Sequence, residues 1–200
     1  TVPIKENHPL VGQSPYAASK IGADQVAISM SKSLGAPIII VRPFNTFGPR
    51  QSLRAVIPTI ISQFALKKKN IVIGNLNTSR DFNFVEDTCS GFICAMKSKF
   101  NSAEVFNLSS GKDYKIIDII NFLKKITGHN PNIIVDKKRI RPKNSEVNRL
   151  IGSSLLARKN LKWKPIYSNK KGFMKSLSKT YDWFKYNIEI YNKNSNKYNL

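Results

Sequence analysis

Residues 37–41 read Pro-Ile-Ile-Ile-Val, and this continuous run of β-branched side chains decides the fold class. Such runs are typical of strands that are covered on both faces, which occur in parallel sheets. Upstream of the run, Ser14 predicts a helix N-cap, Pro15 the first helical position and Gly35 the end of that helix. We expect the apolar side of this helix to consist of Ile21, Val26, Met30 and Leu34.

Strands and helices alternate along the rest of the chain, which predicts an α/β fold. The predicted strands are 70–73, 80–85, 105–108 and 133–135, of which 80–85 alternates as a half-buried strand does. The predicted helices are 56–66, a helix capped by Asp87 that runs through Met96, 115–126, 153–160 and 170–187. The strand at 37–41 needs neighbouring strands that residues 1–36 do not supply, so we expect those strands upstream of Thr1.

The composition is that of a globular protein. The chain has 200 residues, 41% of them hydrophobic, and a formal net charge of +21. Most of the positive excess lies in residues 137–200, without a helix-turn-helix, zinc-finger or aromatic-basic strand motif, so we expect a solvated basic surface and no nucleic-acid partner.

No apolar run reaches about 18 residues, which argues against a membrane span. Cys89 and Cys94 lie too close on a predicted helix to build a disulfide scaffold, which indicates a reducing, cytoplasmic location. His8 and His129 are isolated, so we expect no metal site.

Tyr16 and Lys20 form a Tyr-x-x-x-Lys pattern one turn apart on one helix face. An ammonium beside the phenol, together with an oxidised nicotinamide ring, would favour the phenolate and prepare Tyr16 to act as a general base. The same pattern also arises as an ordinary surface pair at the start of a helix. Its context favours function, because a buried strand and a loop rich in ligand-type residues follow the helix.

Three blocks of sequence together resemble the extended short-chain dehydrogenase/reductase family, whose members modify nucleotide sugars. The blocks are residues 14–20 (SPYAASK), 42–50 (RPFNTFGPR) and 80–87 (RDFNFVED). The resemblance covers about residues 1–165. The segments at 12–16, 51–58 and 141–147 are most similar to the UDP-N-acetylglucosamine 4,6-dehydratases of legionaminic-acid-type sugar pathways.

The resemblance implies the C-terminal part of a Rossmann-type NAD(P)-binding fold, a parallel sheet with helices on both faces, plus a small α/β substrate-binding lobe. Residues 1–47 and 85–108 would belong to the Rossmann domain and carry its catalytic helix. Residues 48–84 and 109–190 would form the nucleotide-sugar-binding lobe, and 191–200 a frayed tail. No Gly-x-x-Gly-x-x-Gly sequence occurs, so we expect the segment that seats the cofactor pyrophosphate to lie upstream. The resemblance also implies a homodimer.

The same resemblance implies NAD as the cofactor and a nucleotide sugar as the substrate. Tyr16 would be the base that takes the proton of the sugar 4-hydroxyl while a hydride leaves C4. Lys20 would bind the nicotinamide ribose and assist Tyr16, and Pro43 would lie where the backbone approaches the nicotinamide. The substrate-binding residues implied by the resemblance are Asn45, Arg54, Arg80, Arg141 and Glu146.

The resemblance therefore implies an NAD-dependent nucleotide-sugar 4,6-dehydratase, which oxidises C4 of a UDP- or dNDP-hexose and eliminates water to give a 4-keto-6-deoxy sugar. A nucleotide-sugar 4-epimerase or a UDP-sugar-acid decarboxylase is the alternative, because the Ser/Thr and acidic pair that separate these reactions do not occur in the 200 residues. For Arg80 the alternative is an ion pair with Asp81 or Glu86. A non-catalytic binding module is a further alternative, which the presence of both Tyr16 and Lys20 disfavours.

Overall fold

The computed structural model describes residues 2–100, 103–140 and 147–192. The helices within these ranges are α1 (Pro15–Leu34), α2 (Val56–Ala65), α3 (Val85–Lys97), α4 (Ile116–Thr127), α5 (Leu155–Asn160) and α6 (Lys170–Asn192). The strands are β1 (Ile39–Pro43), β2 (Asn45–Phe47), β3 (Asn70–Ile73), β4 (Ser79–Phe84), β5 (Glu104–Leu108), β6 (Asp113–Lys115), β7 (Asn132–Val135) and β8 (Arg149–Leu150). The predicted alternation of strands and helices is therefore present.

Three small sheets organise these strands. β1 and β5 pair in parallel, from Ile39 opposite Glu104 to Pro43 opposite Leu108. β4 is the centre of the second sheet, with β2 parallel beside its second half and β6 (antiparallel) and β8 (parallel) beside its first half. β3 and β7 form a third, parallel pair. Since Phe44 alone separates β1 from β2, the chain passes directly from the first sheet to the second at that residue.

Two apolar clusters lie among these elements. The larger one joins α2, α4 and α6 to β3 and β4, and its centre contains Phe47, Phe82 and Phe173. The smaller one lies around β5 and contains Phe106, Leu108 and the fully buried Trp163. The Trp163 indole N–H donates to the carbonyl oxygen of Asp87 and to Ser90 Oγ, both at 3.0 Å, so its polar atom is satisfied inside the cluster.

β1 lies two residues further along the chain than the apolar run predicts. Pairing with β5 begins at Ile39, because Gly35 ends α1 in a left-handed conformation and residues 36–38 lead away from it. Ile40 is buried, but Ile39 and Val41 are only half-buried. Within the described residues β5 is the one strand paired with β1, and the further neighbours expected upstream of Thr1 stay a prediction.

β4 and α3 also depart from the sequence pattern. β4 is buried at five of its six positions, so the half-buried prediction is wrong. Phe82 and Phe84 lie in the larger apolar cluster, and the side chains of Asp81 and Asn83 on the other face are covered by residues 108, 110 and 152. α3 starts at Val85, which leaves Asp87 inside the first turn instead of at the cap. The Asp87 carboxylate accepts the backbone N–H groups of Ile166 at 2.7 Å and Tyr167 at 2.9 Å. Local sequence could not show this role, because the two donors lie far along the chain.

α1 turns a different face to the protein than its apolar spacing predicts. Val26, Met30 and Leu34 are exposed. The covered positions instead follow the spacing of one helix face and include small and polar residues, namely Ala17, Ile21, Asp24, Ala27, Ile28 and Ser31. The prediction is right for Ile21 and wrong for the other three positions. Asp24, which forms an ion pair with Arg42, and the small Ser31 also lie on the covered face.

α6 continues past its predicted end at 187. Asn187 has non-helical dihedral angles, and its side-chain amide donates to the carbonyl oxygen of Trp183 at 2.8 Å, so the predicted end is a kink. Arg141, Glu146 and residues 193–200 of the predicted tail lie outside the described residues. Among the described helices, none is long and apolar enough to cross a membrane. The division into two parts at residues 47, 84 and 108 stays a prediction.

Candidate active site

The N-terminus of α1 holds the Tyr16–Lys20 pair. Ser14 caps the helix by accepting the N–H of Ala17 at 3.1 Å, and Pro15 occupies the first helical position, as predicted. Tyr16 therefore lies in the first turn, with its side chain 72% exposed. The Lys20 ammonium lies 5.6 Å from the centroid of the Tyr16 ring, within the range of a cation–π contact. The phenol and the ammonium are thus neighbours on one face of α1.

A cleft of about 880 Å³ opens beside Tyr16. It brings together five of the predicted site residues from four parts of the chain, namely Tyr16, Pro43, Asn45, Arg54 and Arg80. Lys20 is not among the residues that line it. The cleft follows from the topology, because the carboxyl ends of β1 and the start of β2 meet the side of β4 there.

The junction between β1 and β2 places Pro43 and Asn45 at the cleft. Asn45 donates its side-chain N–H to the carbonyl oxygen of Asp81 at 3.2 Å, which ties it to the strand that carries Arg80. Thr46 Oγ1 lies 3.0 Å from Thr88 Oγ1 on α3. Pro43, the exposed last residue of β1, lies opposite Leu108 in the pairing with β5. These contacts hold Asn45 and Pro43 against rigid strands.

Two arginines face the cleft from different elements. Arg54 is exposed in the loop before α2, and the half-buried Arg80 on β4 donates to its neighbour's carbonyl oxygen at Ser79, at 2.9 Å. Each guanidinium is a planar fork that suits phosphate oxygens. A cleft lined by a phenol and guanidinium groups can therefore bind a phosphorylated ligand and move a proton.

The carboxylates of Asp81 and Glu86, the alternative partners predicted for Arg80, accept hydrogen bonds from other groups. Asp81 is fully buried and accepts from Ser110 N at 2.9 Å, Ser110 Oγ at 2.7 Å, Gly111 N at 3.1 Å and Gly152 N at 3.2 Å. Burial raises the pKa of the Asp81 carboxyl, and these hydrogen bonds oppose the rise. Glu86 pairs with Lys179 at 2.8 Å, and this contact lowers the pKa of Glu86.

The residues that line the cleft include Arg139, Gln51 and Arg42, which were not predicted as site residues from the sequence. Arg139 lies two positions before Arg141 in the same basic stretch, and its Nε lies 3.4 Å from Asp136. Gln51 donates to the carbonyl oxygen of Thr46 at 2.7 Å. Arg42, the first residue of the second sequence block, donates to Asp24 at 2.7 Å. The signal for Arg42 and Arg139 was the planar guanidinium in a basic sequence otherwise rich in lysine.

The predicted substrate-binding residues Arg141 and Glu146 lie outside the described residues. His8 is among the residues that line the cleft. Within the described ranges, no group of three His, Cys, Asp or Glu side chains is arranged to hold a metal ion. Among the residues that line the cleft, Tyr16 offers a group for proton transfer and the arginines offer groups for anion binding.

A sequence model of the family described as GDP-mannose 4,6 dehydratase matches residues 1–176. The chain belongs to this family. This confirms the predicted membership among the short-chain dehydrogenase/reductases that act on nucleotide sugars. The special similarity to N-acetylglucosamine dehydratases stays a prediction.

Relatives of this GDP-mannose 4,6 dehydratase family member carry several activities. The GDP-6-deoxy-D-mannose reductase of Pseudomonas aeruginosa is 30% identical over 91% of this chain and 60% of its own length. The UDP-glucuronic acid 4-epimerase of Bacillus cereus, solved with UDP-glucuronic acid and NAD, has a TM-score of 0.80 at 26% identity, over 92% of this chain and 56% of that one.

The dTDP-glucose 4,6-dehydratase of Bacillus anthracis, solved with NAD, has a TM-score of 0.78 at 26% identity, over 94% of this chain and 58% of that one. These similarities confirm the predicted α/β class of Rossmann type. The chain spans about 60% of the length of the curated relative from Pseudomonas aeruginosa.

Proposed function

We propose that the protein containing this chain is an NAD-dependent nucleotide-sugar 4,6-dehydratase that acts on a UDP- or dNDP-hexose. The observation that carries the proposal is the cleft itself, which is lined by Tyr16, Arg54 and Arg80. The Lys20 ammonium lies next to the Tyr16 ring. A nucleotide sugar has a diphosphate at one end and a hexose at the other, and this cleft offers a group for each.

The chain's own residues fit the nicotinamide end of NAD. Pro43 presents an exposed strand end beside Tyr16, and Lys20 lies one turn behind the phenol, within reach of a ribose hydroxyl on the same face of α1. When bound, NAD would take up the hydride from C4 and return it to C6, so that the overall reaction is redox-neutral. Tyr16, Lys20 and Pro43 would hold that end of the cofactor.

Tyr16 accepts the proton of the sugar 4-hydroxyl as the C4 hydrogen leaves as a hydride, which gives a ketone at C4. The positive charge of Lys20 favours the phenolate that this step needs. The new ketone acidifies the hydrogen at C5, so a proton leaves C5 and hydroxide leaves C6 as water. Arg54 and Arg80 hold the diphosphate so that C4 stays at the phenol.

The first experiment replaces Tyr16 with phenylalanine in the natural protein. Tyr16→Phe keeps the ring and removes the proton acceptor, so we expect the rate of C4 oxidation to fall about 10²- to 10⁴-fold. The matched control is Tyr186→Phe, because Tyr186 is also highly exposed, at 83%, but lies on α6 away from the residues that line the cleft. Equal rates for wild type and Tyr16→Phe would refute the assignment of the base.

Nuclear magnetic resonance of the product in deuterated water identifies the reaction. A 4,6-dehydratase loses the C5 proton and regains one from solvent, so the 4-keto-6-deoxy product carries deuterium at C5. A 4-epimerase inverts C4 and takes up no deuterium on carbon. The second candidate is this epimerase, because the chain has a similar fold to the Bacillus cereus UDP-glucuronic acid 4-epimerase along 92% of its length.

A further inference from the structure

Arg42 joins two segments that lie on either side of Tyr16 in the sequence. Its Nε donates to Asp24 Oδ2 at 2.7 Å, and its Nη1 donates to the carbonyl oxygen of Glu6 at 3.2 Å. Glu6 belongs to the segment that leads into α1, and Asp24 lies in the middle of α1. Tyr16 is near the midpoint of the stretch from Glu6 to Asp24. The Arg42 guanidinium therefore holds both ends of the segment 6–24, which contains Tyr16.

The β1–β5 sheet gives Arg42 a rigid base. Arg42 lies opposite Asn107 in the parallel pairing of β1 with β5. Asn107 holds the same lead-in segment, because its backbone N–H donates to Glu6 Oε1 at 3.0 Å and its side chain donates to the carbonyl oxygen of Ile4 at 3.2 Å. The backbone of Ile4 is in turn hydrogen-bonded to the backbone of Ile151 and Ser153. Arg42 and Asn107, which lie opposite each other on neighbouring strands, thus hold the start of the segment 6–24.

Asp24 lies eight positions after Tyr16 in α1, which is about two helical turns. It belongs to the covered face of α1, whereas Tyr16 is exposed. The Arg42–Asp24 pair is partly buried, with side-chain exposures of 23% and 21%, so water screens it less than an exposed pair. It therefore restrains the rotation of α1 about its axis, which sets the direction of the Tyr16 side chain.

We propose that Arg42 and Asp24 are positioning residues, which hold the Tyr16 phenol at the reacting carbon by clamping α1 to β1. The proposal rests on the proposed function for the role of Tyr16. A catalytic group that is misplaced by about 1 Å loses on the order of 10²-fold in rate. Loss of the clamp should therefore lower kcat, while substrate binding by Arg54 and Arg80 on other elements is retained.

Asp24→Ala is the discriminating variant, because Asp24 is not among the described residues that line the cleft, whereas Arg42 is. We expect kcat of the natural protein to fall about 10- to 100-fold and the KM for the nucleotide sugar to change less than about twofold. Asp24→Glu, which keeps the carboxylate, should recover part of kcat. Arg42→Lys should behave like Asp24→Ala, because one ammonium cannot reproduce the two-armed contact.

The matched control is Lys179→Gln. It removes another ion pair of 2.8 Å between two helices, Lys179 with Glu86, away from the cleft. We expect this variant to keep the wild-type kcat and KM. If kcat of Asp24→Ala equals that of the control, or if KM rises instead of kcat falling, the positioning role is refuted.

Hydrogen exchange separates this proposal from the proposed function. In Asp24→Ala the amides of residues 16–24 should exchange faster than in wild type, whereas in Lys179→Gln they should not. Unchanged exchange in Asp24→Ala refutes the clamp whichever reaction the protein catalyses. If the wild type converts none of the UDP- and dTDP-hexoses offered, the proposed function fails, and the exchange rates still decide whether Arg42 clamps α1.

Discussion

Gly152 occupies a position that has no room for a side chain. A Cβ at this residue would lie 2.7 Å from the Cβ of Ser109 and closer still to the ring of Phe44. Its N–H donates to the buried Asp81 carboxylate at 3.2 Å. The glycine is therefore required by the close approach of the chain to Phe44, the residue that joins β1 to β2 beside the cleft.

Gly152→Ala should lower the free energy of unfolding by about 1–3 kcal/mol, because the added methyl group must displace the Phe44 ring or the backbone. Gly22→Ala is the matched control. Gly22 lies within α1, and a Cβ there meets nothing within 4 Å, so this change should stabilise the protein by about 0.5–1 kcal/mol. Denaturant unfolding of both variants measures the difference. Destabilisation of similar size in the two would contradict the packing argument.

At the scale of elements, Asp113 on β6 connects the two strands that flank the first half of β4. Its carboxylate accepts from Arg149 on β8, at 2.8 Å and 3.0 Å, and from Ser79 on β4 at 2.7 Å. The hydrogen bonds from Arg149 lower the pKa of the Asp113 carboxyl below its ordinary value of 3.8. The sheet edge next to Arg80 is thus held by an ionised carboxylate.

This shift makes the stability contributed by Asp113 depend on pH. Because its folded-state pKa lies below the unfolded value, the contribution is present above about pH 3.8 and is lost as the pH falls through the lowered pKa. Asp113→Asn should therefore be less stable than wild type at neutral pH, and the difference should vanish in acid. Unfolding experiments across pH measure it. Asp182→Asn, at an exposed position of α6, is the control, and a loss equal to that of Asp113→Asn would contradict the prediction.

At the scale of the whole molecule, the cleft lining is rich in arginine, with Arg54, Arg80 and Arg139 among its residues. The proposed function assigns Tyr16, Lys20 and Pro43 to the nicotinamide end of the cofactor alone. The 200 residues contain no Gly-x-x-Gly-x-x-Gly sequence for the cofactor pyrophosphate.

The 200-residue chain by itself should therefore bind NAD weakly, with a Kd above about 1 mM, and should bind a nucleoside diphosphate sugar more tightly. Isothermal titration calorimetry measures both affinities. Arg80→Gln should weaken sugar-nucleotide binding at least about tenfold, whereas Arg158→Gln, outside the main cleft, should leave it unchanged. Tight NAD binding by this chain would contradict the prediction.

The sequence by itself determined the class of fold and the family. β-branched runs, Ser14 and Gly35 act through neighbours in the chain, so the N-cap, the left-handed helix end and the strand Asn70–Ile73 follow from local chemistry. The three sequence blocks were sufficient for the family because each keeps its residue types at fixed spacing. The predicted roles of Asn45, Arg54 and Arg80 remain predictions, although the structure places all three at one cleft.

Only the tertiary structure decided which faces and partners these elements use. Asp87 accepts hydrogen bonds from residues 166 and 167, and Asp81 accepts them from residues 110, 111 and 152. Arg42 donates hydrogen bonds to Glu6 and Asp24. Each of these contacts joins positions that are far apart in the chain, so no local spacing reveals it. On α1, the ion pair of Asp24 with Arg42 on β1 lies on the covered face, whereas Val26, Met30 and Leu34 are exposed. Spacing along the helix cannot show this contact, because its partner lies on another element.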